Sequence, residues 1–325
     1  LFVGFVVGLT GMGGGALMTP MMILLFGIQP LAAVSSDLVA SMVMKPVGGA
    51  VHLRRGTVNR QLVKWLVIGS VPSAFLGVLV LRWIGGGEQT QDVVKTSLGV
   101  ALLFAAGSMV AKALLDLRKH QQLKAAVARG EVAEVPVETI VVRPVPTLLT
   151  GIFGGLVVGM TSVGSGSLMI VALLLLYPTI RARQLVGTDL VQAVPLVASA
   201  SLGHLLFGDF QLDLTASLLI GALPGVYIGA RVSSSAPSGI VRRALVVVLL
   251  ASGLKLLDAG TTTVVVVLLT VAVLGTVLWA TVYRRTAPDT VERAPTDLVG
   301  AAVTGRFLRR RRRRAAERER ARAGR

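Results

Sequence analysis

The sequence predicts an all-α polytopic membrane protein made of two tandem, inverted repeats of about four membrane segments, plus one extra C-terminal transmembrane helix. Three observations predict this class: the composition, the recurrence of apolar runs of membrane-spanning length, and an internal repeat. Of the 325 residues, 53% are hydrophobic and 15% are charged, and the mean hydropathy is +0.75. A soluble domain of this length does not need so much apolar sequence, whereas helices that cross a bilayer do.

Apolar runs close to the length of one membrane span recur along the whole chain. About 20 residues of helix cross a hydrocarbon core of about 30 Å. Seven runs have roughly that length: 31–51, 62–84, 93–115, 185–207, 212–232, 240–257 and 261–283. Two longer runs, 1–28 and 147–177, are interrupted by glycine.

Many positions of the first half return in the second half after 151 or 152 residues. The segment that runs from Gly8 to Met18 returns as the segment from Gly159 to Met169. Further matched pairs are Asp37 and Asp189, His52 and His204, Gly56 and Gly208, Pro72 and Pro224, and Gly77 and Gly229. Matches kept in register over this distance indicate a duplication. Residues 1–115 form repeat one and residues 147–258 form repeat two.

The remaining segments are polar, apart from the extra transmembrane helix at 261–283. Residues 116–146 mix charges with prolines and are expected to form a cytoplasmic connecting loop. Residues 284–325 contain 14 Lys and Arg against 5 Asp and Glu and are expected to be a disordered cytoplasmic tail that contacts anionic lipid. With one aromatic residue and no folded motif, the tail does not indicate nucleic-acid binding. The chain has no cysteine, and no cofactor or metal site is predicted.

The distribution of basic residues favours a particular topology. If the glycine-interrupted runs 1–28 and 147–177 are re-entrant hairpins, all basic loops fall on one side and Asp209, Asp213 and Asp258 fall on the other, as the positive-inside rule expects. Each repeat then holds one hairpin and three spans. Because three is odd, the halves are inverted relative to each other. A tilted full span is the alternative to each hairpin.

The two glycine-rich segments are candidate anion sites. Non-helical backbone at membrane depth is tolerated only inside protein or beside a water-filled cavity, and a helix that begins there directs free N–H groups at one point. The candidate substrate-binding residues are Thr10, Gly11, Gly13, Gly14 and Gly15 in repeat one and Thr161, Ser162, Gly164, Ser165 and Gly166 in repeat two. The alternative is that these small residues only permit close helix packing.

Ionisable residues inside the apolar runs form a second candidate group. A charge at membrane depth is costly and is a functional candidate for that reason. Lys45 is a candidate counter-charge for an anion, or it snorkels to the interface. Asp37 and Asp189 are candidates for proton coupling, or they cap their helices. His52 and His204 are further candidates for proton coupling, with helix packing as the alternative. Gln192, one turn after Asp189, can reach the same cavity.

At these positions the sequence resembles the sulfite exporter TauE/SafE family of membrane permeases. The resemblance rests on the run from Gly11 to Gly15 with Pro20, on the motif ending in Asp37 and Leu38, and on Lys45, His52 and Gly56. It covers about residues 1–258 and continues through the second copy. It implies proton-coupled movement of sulfur oxyanions or organosulfonates across the bacterial inner membrane. Ala172 near the counterpart of Pro20 and the serines of the second glycine segment depart from strict equivalence.

We therefore expect a permease for a small inorganic or organosulfur anion, which works by alternating access and is not an enzyme. A passive anion channel or a membrane scaffold is the alternative function. A serine hydrolase using Ser165 or Ser167 with His204 is disfavoured, because repeat one has Gly14 and Ala16 at the matching positions. Assembly into a homo-oligomer is compatible with the sequence, which does not determine the oligomeric state.

Overall fold

The computed structural model describes residues 4–6, 14–54, 56–128, 141–180, 182–232 and 238–286, and within these ranges the secondary structure is entirely helical. After a short 3₁₀ turn at Gly14–Ala16, ten α-helices follow in chain order. They are α1 (Met18–Phe26), α2 (Pro30–Arg54), α3 (Arg60–Trp83), α4 (Gly87–Ala128), α5 (Pro144–Thr161), α6 (Ser167–Leu176), α7 (Ala182–Phe207), α8 (Leu212–Val232), α9 (Ser238–Leu256) and α10 (Thr261–Thr286).

Five helices of the described ranges are long and apolar enough to cross a membrane. They are α3, residues 87–115 of α4, α5, residues 184–207 of α7 and residues 212–229 of α8. The apolar helices α1, α6 and the described first part of α10 are shorter. This pattern makes the chain a multi-pass helical membrane protein.

Local sequence explains several helix ends. Pro30 and Pro144 each occupy the first position of a helix, where a missing N–H costs nothing. The side chain of Asn59 caps α3 by accepting hydrogen bonds from the backbone N–H groups of Gln61 and Leu62, each at 3.1 Å. Gly27, with φ of +66°, ends α1 in the left-handed conformation that favours glycine.

Three helix boundaries differ from the sequence prediction. Helix α4 continues to Ala128, so the first part of the expected connecting loop is helical. Helix α5 begins at Pro144 rather than at position 147, because the prolines of this stretch fit the first turn of a helix. Helix α10 extends to Thr286, beyond the predicted end at 283. Residues 129–140 of the connecting loop and residues 287–325 of the tail lie outside the described ranges.

Helix α5 packs closely on α3 through a stripe of glycines. Gly151, Gly155 and Gly159 follow each other at intervals of four and therefore share one face of α5. A Cβ added to any of them would collide with α3, against Leu66, against Ser70 and Ser73, or against Ala74. Only glycine permits this approach of two backbones, and small residues are the usual means of helix association in membranes.

Helices α5 and α6 form a hairpin. The hydroxyl of Tyr177, directly after α6, accepts a hydrogen bond from the backbone N–H of Arg143 at 2.8 Å and lies 2.6 Å from the hydroxyl of Thr147. The end of α6 therefore lies beside the start of α5, as the sequence analysis expected for a segment that enters and leaves on one side. Residues 7–13 of the corresponding segment in repeat one are outside the described ranges.

Residues 1–269 form one compact unit in which the described helices enclose apolar clusters. The larger cluster joins α2, α3, α5, α6 and α7 through fully buried side chains such as Leu38, Leu66, Leu173 and Leu196. Residues 270–325 are a separate unit, whose described part is the second portion of α10.

Candidate functional site

The candidate site lies at the break between α5 and α6. Ser162 ends α5 with φ of +60°, in the left-handed region that a serine seldom adopts, and Gly164 follows with φ of +117°. The backbone then re-enters a helix at Ser167, with no side chain capping the first turn of α6. The first N–H groups of α6 thus point toward the break, which is the arrangement that favours an anion.

The break of repeat two directly contacts the glycine segment of repeat one. Gly15 lies so close to Ser162 that a Cβ on Gly15 would overlap the Ser162 carbonyl group. A Cβ on Gly14 would lie 3.3 Å from Oδ1 of Asp37. The described part of the first glycine-rich segment, residues 14 and 15, is thus a neighbour of the second one in the structure.

Asp37 is fully buried on α2 and is held by the break. Its Oδ2 atom accepts a short hydrogen bond from the hydroxyl of Ser162. Its Oδ1 atom meets no donor in regular hydrogen-bond geometry among the described residues. The buried hydroxyl of Thr19 lies near enough to the carboxylate to interact with it. Asp37 lies seven residues after the start of α2, so it does not cap that helix.

Lys45 reaches from α2 into the same break. Its ammonium group donates a hydrogen bond to the hydroxyl of Ser165 at 2.5 Å. Lys45 therefore points into the protein rather than snorkelling toward the interface beside Arg54. It interacts electrostatically with Asp37 and Asp189, although neither carboxylate lies within 4 Å of its ammonium group.

Asp189 occupies the corresponding position of repeat two. It is buried on α7, inside the helix rather than at its first turn, and accepts a hydrogen bond from Nε2 of Gln192 at 3.2 Å. Lys45 and Lys112 are the cations that interact with it electrostatically. Lys45 therefore interacts with a carboxylate from each repeat.

The two candidate histidines, His52 and His204, each have hydrogen-bonding partners within the protein. His204 is fully buried; its Nε2 lies 2.8 Å from the carbonyl oxygen of Gly159 and its Nδ1 lies 2.8 Å from the hydroxyl of Ser35. Since the carbonyl can only accept, Nε2 carries the proton and Nδ1 accepts from Ser35. His52 lies 2.9 Å from the hydroxyl of Thr57 near the end of α2. These contacts favour the helix-packing alternative for both residues.

The remaining predicted site residues differ in their surroundings. Thr10, Gly11 and Gly13 lie outside the described ranges. The hydroxyl of Thr161 is engaged with the carbonyl of Val157 in its own helix at 2.6 Å. The break lines a small cavity of about 10 Å³, large enough for about one water molecule. That cavity is lined by Ala16, Ser162, Gly164, Ser165, Gly166, Ser167 and Leu249.

Sequence reasoning missed Thr19, Ser35 and Leu249. Thr19 and Ser35 are fully buried hydroxyl residues beside Asp37 and His204, respectively. Both are polar residues within apolar runs, and this feature could have identified them as candidates. Leu249 is apolar, and no signal in the sequence separates it from other core leucines.

The serine–histidine pairing of the enzyme alternative does not occur among the described residues. Ser165 bonds to Lys45, Ser167 lines the small cavity, and His204 is engaged by Ser35 and Gly159. His204 is therefore not in place to activate either serine.

The chain is similar to known proteins over most of its length. Residues 1–256 match the sulfite exporter TauE/SafE family. The chain is 39% identical over 258 residues to the probable membrane transporter protein YjnA of Bacillus subtilis, which covers 79% of this chain and 96% of that protein. It is 26% identical over 257 residues to the probable membrane transporter protein YdhB of the same organism, covering 78% of this chain and 96% of YdhB. No solved structure matches.

The family match extends over both halves of the chain and contains all the residues of the break. The relative YjnA is aligned over almost its entire length. The chain belongs to the sulfite exporter TauE/SafE family.

Proposed function

We propose that the chain is a secondary transporter of small anions, namely sulfur oxyanions or organosulfonates, and that it couples their movement to protons. Transport proceeds by alternating access between two inverted repeats. The family and the names of the two relatives support the class of transporter.

The observation that carries the proposal is the hydrogen bond between Lys45 and Ser165. A lysine within a membrane helix is costly unless its charge is used, and Lys45 is half-buried. Here it faces a helix break whose hydroxyl and backbone N–H groups are neutral donors. An anion that enters the break can replace Ser165 as the partner of the ammonium group and accept further hydrogen bonds from the start of α6.

Asp37 and Asp189 are the proposed proton carriers. Both are buried close enough to Lys45 to interact with its charge. A carboxylate stabilises the ammonium group when the site is empty and competes with the anion for it when the site is filled. Protonation of one carboxylate removes this competition, so that proton and anion binding favour each other.

Helix contacts support the inverted arrangement of the repeats. Helices α2 and α7, which match after 152 residues, pack antiparallel, with Ser35 against His204 and the carbonyl of Leu38 against the hydroxyl of Ser201. The contact between Ser35 and His204 has a counterpart between the matching residues Gly187 and His52. A Cβ on Gly187 would lie 3.1 Å from Nδ1 of His52.

A second pair of contacts repeats in the same way. A Cβ on Gly155 would collide with the backbone of Ser70, and a Cβ on Gly4 would collide with the backbone of Ala222. Gly4 and Gly155 are 151 residues apart, and Ser70 and Ala222 are 152 residues apart. A two-fold axis in the membrane plane relates such pairs, which is the arrangement of inverted-repeat transporters.

The proposed location is the bacterial inner membrane. The ends of the hairpin at Arg143 and Tyr177 and the basic C-terminal tail lie on the cytoplasmic side, where the tail contacts anionic lipid. The loop that contains Asp209 lies on the opposite side. Lysine and arginine in short loops favour this orientation.

Flux into proteoliposomes tests the proposed function. We expect purified protein to accumulate sulfite, thiosulfate or a small sulfonate against its gradient when a proton gradient is imposed, and Lys45→Met to abolish the accumulation. Accumulation that is lost when the proton gradient is dissipated distinguishes a carrier from a passive channel. The proposal would be contradicted if none of these anions is transported, whichever way the pH gradient is directed.

A further inference from the structure

Gln192 is a buried polar residue to which the proposed mechanism gives no task. It is fully buried on α7, one turn after Asp189. Its Nε2 atom donates to Asp189 at 3.2 Å, and its Oε1 atom has no hydrogen-bond partner within the described part of the chain. Leaving a buried carbonyl oxygen without a donor is unfavourable, and such groups are rare in folded proteins.

The repeat shows that the helix itself does not require this glutamine. The residue of α2 that precedes Gln192 by 152 positions is Ala40, which is also fully buried. The counterpart of Lys45 in α7 is the buried Val197. On this matched pair of helices, repeat one therefore contributes the lysine and repeat two contributes the glutamine.

We propose that Gln192 is a specificity-determining residue whose Oε1 accepts a hydrogen bond from the substrate. The inference rests on the proposed function and narrows its substrate class. The anionic group of the substrate contacts Lys45 and the break, and its other end carries a hydrogen-bond donor, such as a hydroxyl or an amine. A site built to bond such a donor discriminates against an analogue that lacks it, because the buried acceptor then stays unpaired.

Ethanesulfonate and 2-hydroxyethanesulfonate provide a matched pair of probes, since they differ by one hydroxyl. We would measure the affinity of the purified full-length protein for each by titration calorimetry. We expect the hydroxylated anion to bind about 3- to 10-fold more tightly, as one net hydrogen bond predicts. We expect Gln192→Met, which keeps the length of the side chain, to bind both anions equally.

The readout is the ratio of the affinities for 2-hydroxyethanesulfonate and ethanesulfonate. Loss of the contact between Gln192 and Asp189 changes both affinities together and leaves this ratio unchanged. Gln192→Ala, which reproduces the residue of repeat one, is a second variant if Gln192→Met does not fold. Gln184→Leu, on the same helix two turns earlier, is the control and is expected to keep the preference. The proposal is wrong if the wild type binds both anions equally, or if the preference survives both substitutions. If the wild type binds neither anion and transports none, the proposed function fails, and this inference fails with it.

Discussion

At the scale of single residues, the break brings together polar side chains, each of which would be energetically unfavourable in a membrane without a partner. Lys45 and Asp37 both belong to α2, and their hydroxyl partners, Ser165 and Ser162, both belong to the break of repeat two. The matching positions of repeat one are Gly14 and Gly11, which have no hydroxyl. The two half-sites are consequently unequal, and the lysine faces the break that provides hydroxyl donors.

The charge of Lys45 is the first residue-scale prediction. We expect Lys45→Met to lower the affinity for a transported anion by at least about tenfold, since a hydrogen bond to a charged group contributes about 1.5–3 kcal/mol. Anion-dependent shifts of the melting temperature measure the loss. Lys45→Arg, which keeps the charge, should retain part of the shift.

A matched control is Lys95→Met, which removes a lysine from an exposed pair with Asp258. Exposed pairs contribute at most about 1 kcal/mol to stability. This variant should keep both the anion-dependent shift and the transport. An unchanged shift in Lys45→Met would show that the ammonium group does not bind the anion.

At the scale of helices, the glycine stripe of α5 sets the position of the break. Gly151, Gly155 and Gly159 hold α5 against α3, and the same helix ends three residues later at Ser162. Gly159 also provides the carbonyl oxygen for His204 on α7. Close packing at this stripe thus places the serines of the break against α2.

Substitution of the stripe tests this role. We expect Gly159→Ala to destabilise the protein by about 1–3 kcal/mol, because its Cβ would overlap the backbone of Ala74 and force the helices apart. Gly107→Ala on α4 is the matched control, since a Cβ there meets no atom within 4 Å. Thermal unfolding in the same detergent compares the two variants. Equal melting temperatures would contradict the packing argument.

At the scale of the whole molecule, the hairpin determines the topology. With both ends of residues 144–177 on one side, the segment does not carry the chain across the membrane. In the proposed topology the second repeat therefore starts from the cytoplasm, whereas repeat one starts from the opposite side. A full span at 144–177 would place every later loop on the opposite side of the membrane. The contact of Tyr177 with Arg143 and Thr147 favours the hairpin.

Single-cysteine labelling of intact cells tests this topology without background, since the chain has no native cysteine. Cysteines at the exposed positions Arg143 and Thr179 should be protected from an impermeant maleimide, and a cysteine at Asp209 should react with it. Permeabilised cells provide the control for accessibility. Labelling of Arg143 and Thr179 from opposite sides would exclude the hairpin.

The sequence by itself determined the helical membrane class, the repeat and the residues worth testing. Apolar runs, glycine breaks and isolated charges such as Lys45 are local signals, because the bilayer imposes them on each segment separately. Family membership followed from the same motifs.

Only the tertiary structure decided which side chains meet. It directed Lys45 to Ser165 rather than to the interface, gave both nitrogens of His204 partners on other helices, and left the side-chain carbonyl of Gln192 without a hydrogen bond among the described residues. The contacts of Lys45 and His204 join residues that are 45 to 169 positions apart. No local pattern specifies such pairs, because they arise only when the two repeats pack against each other.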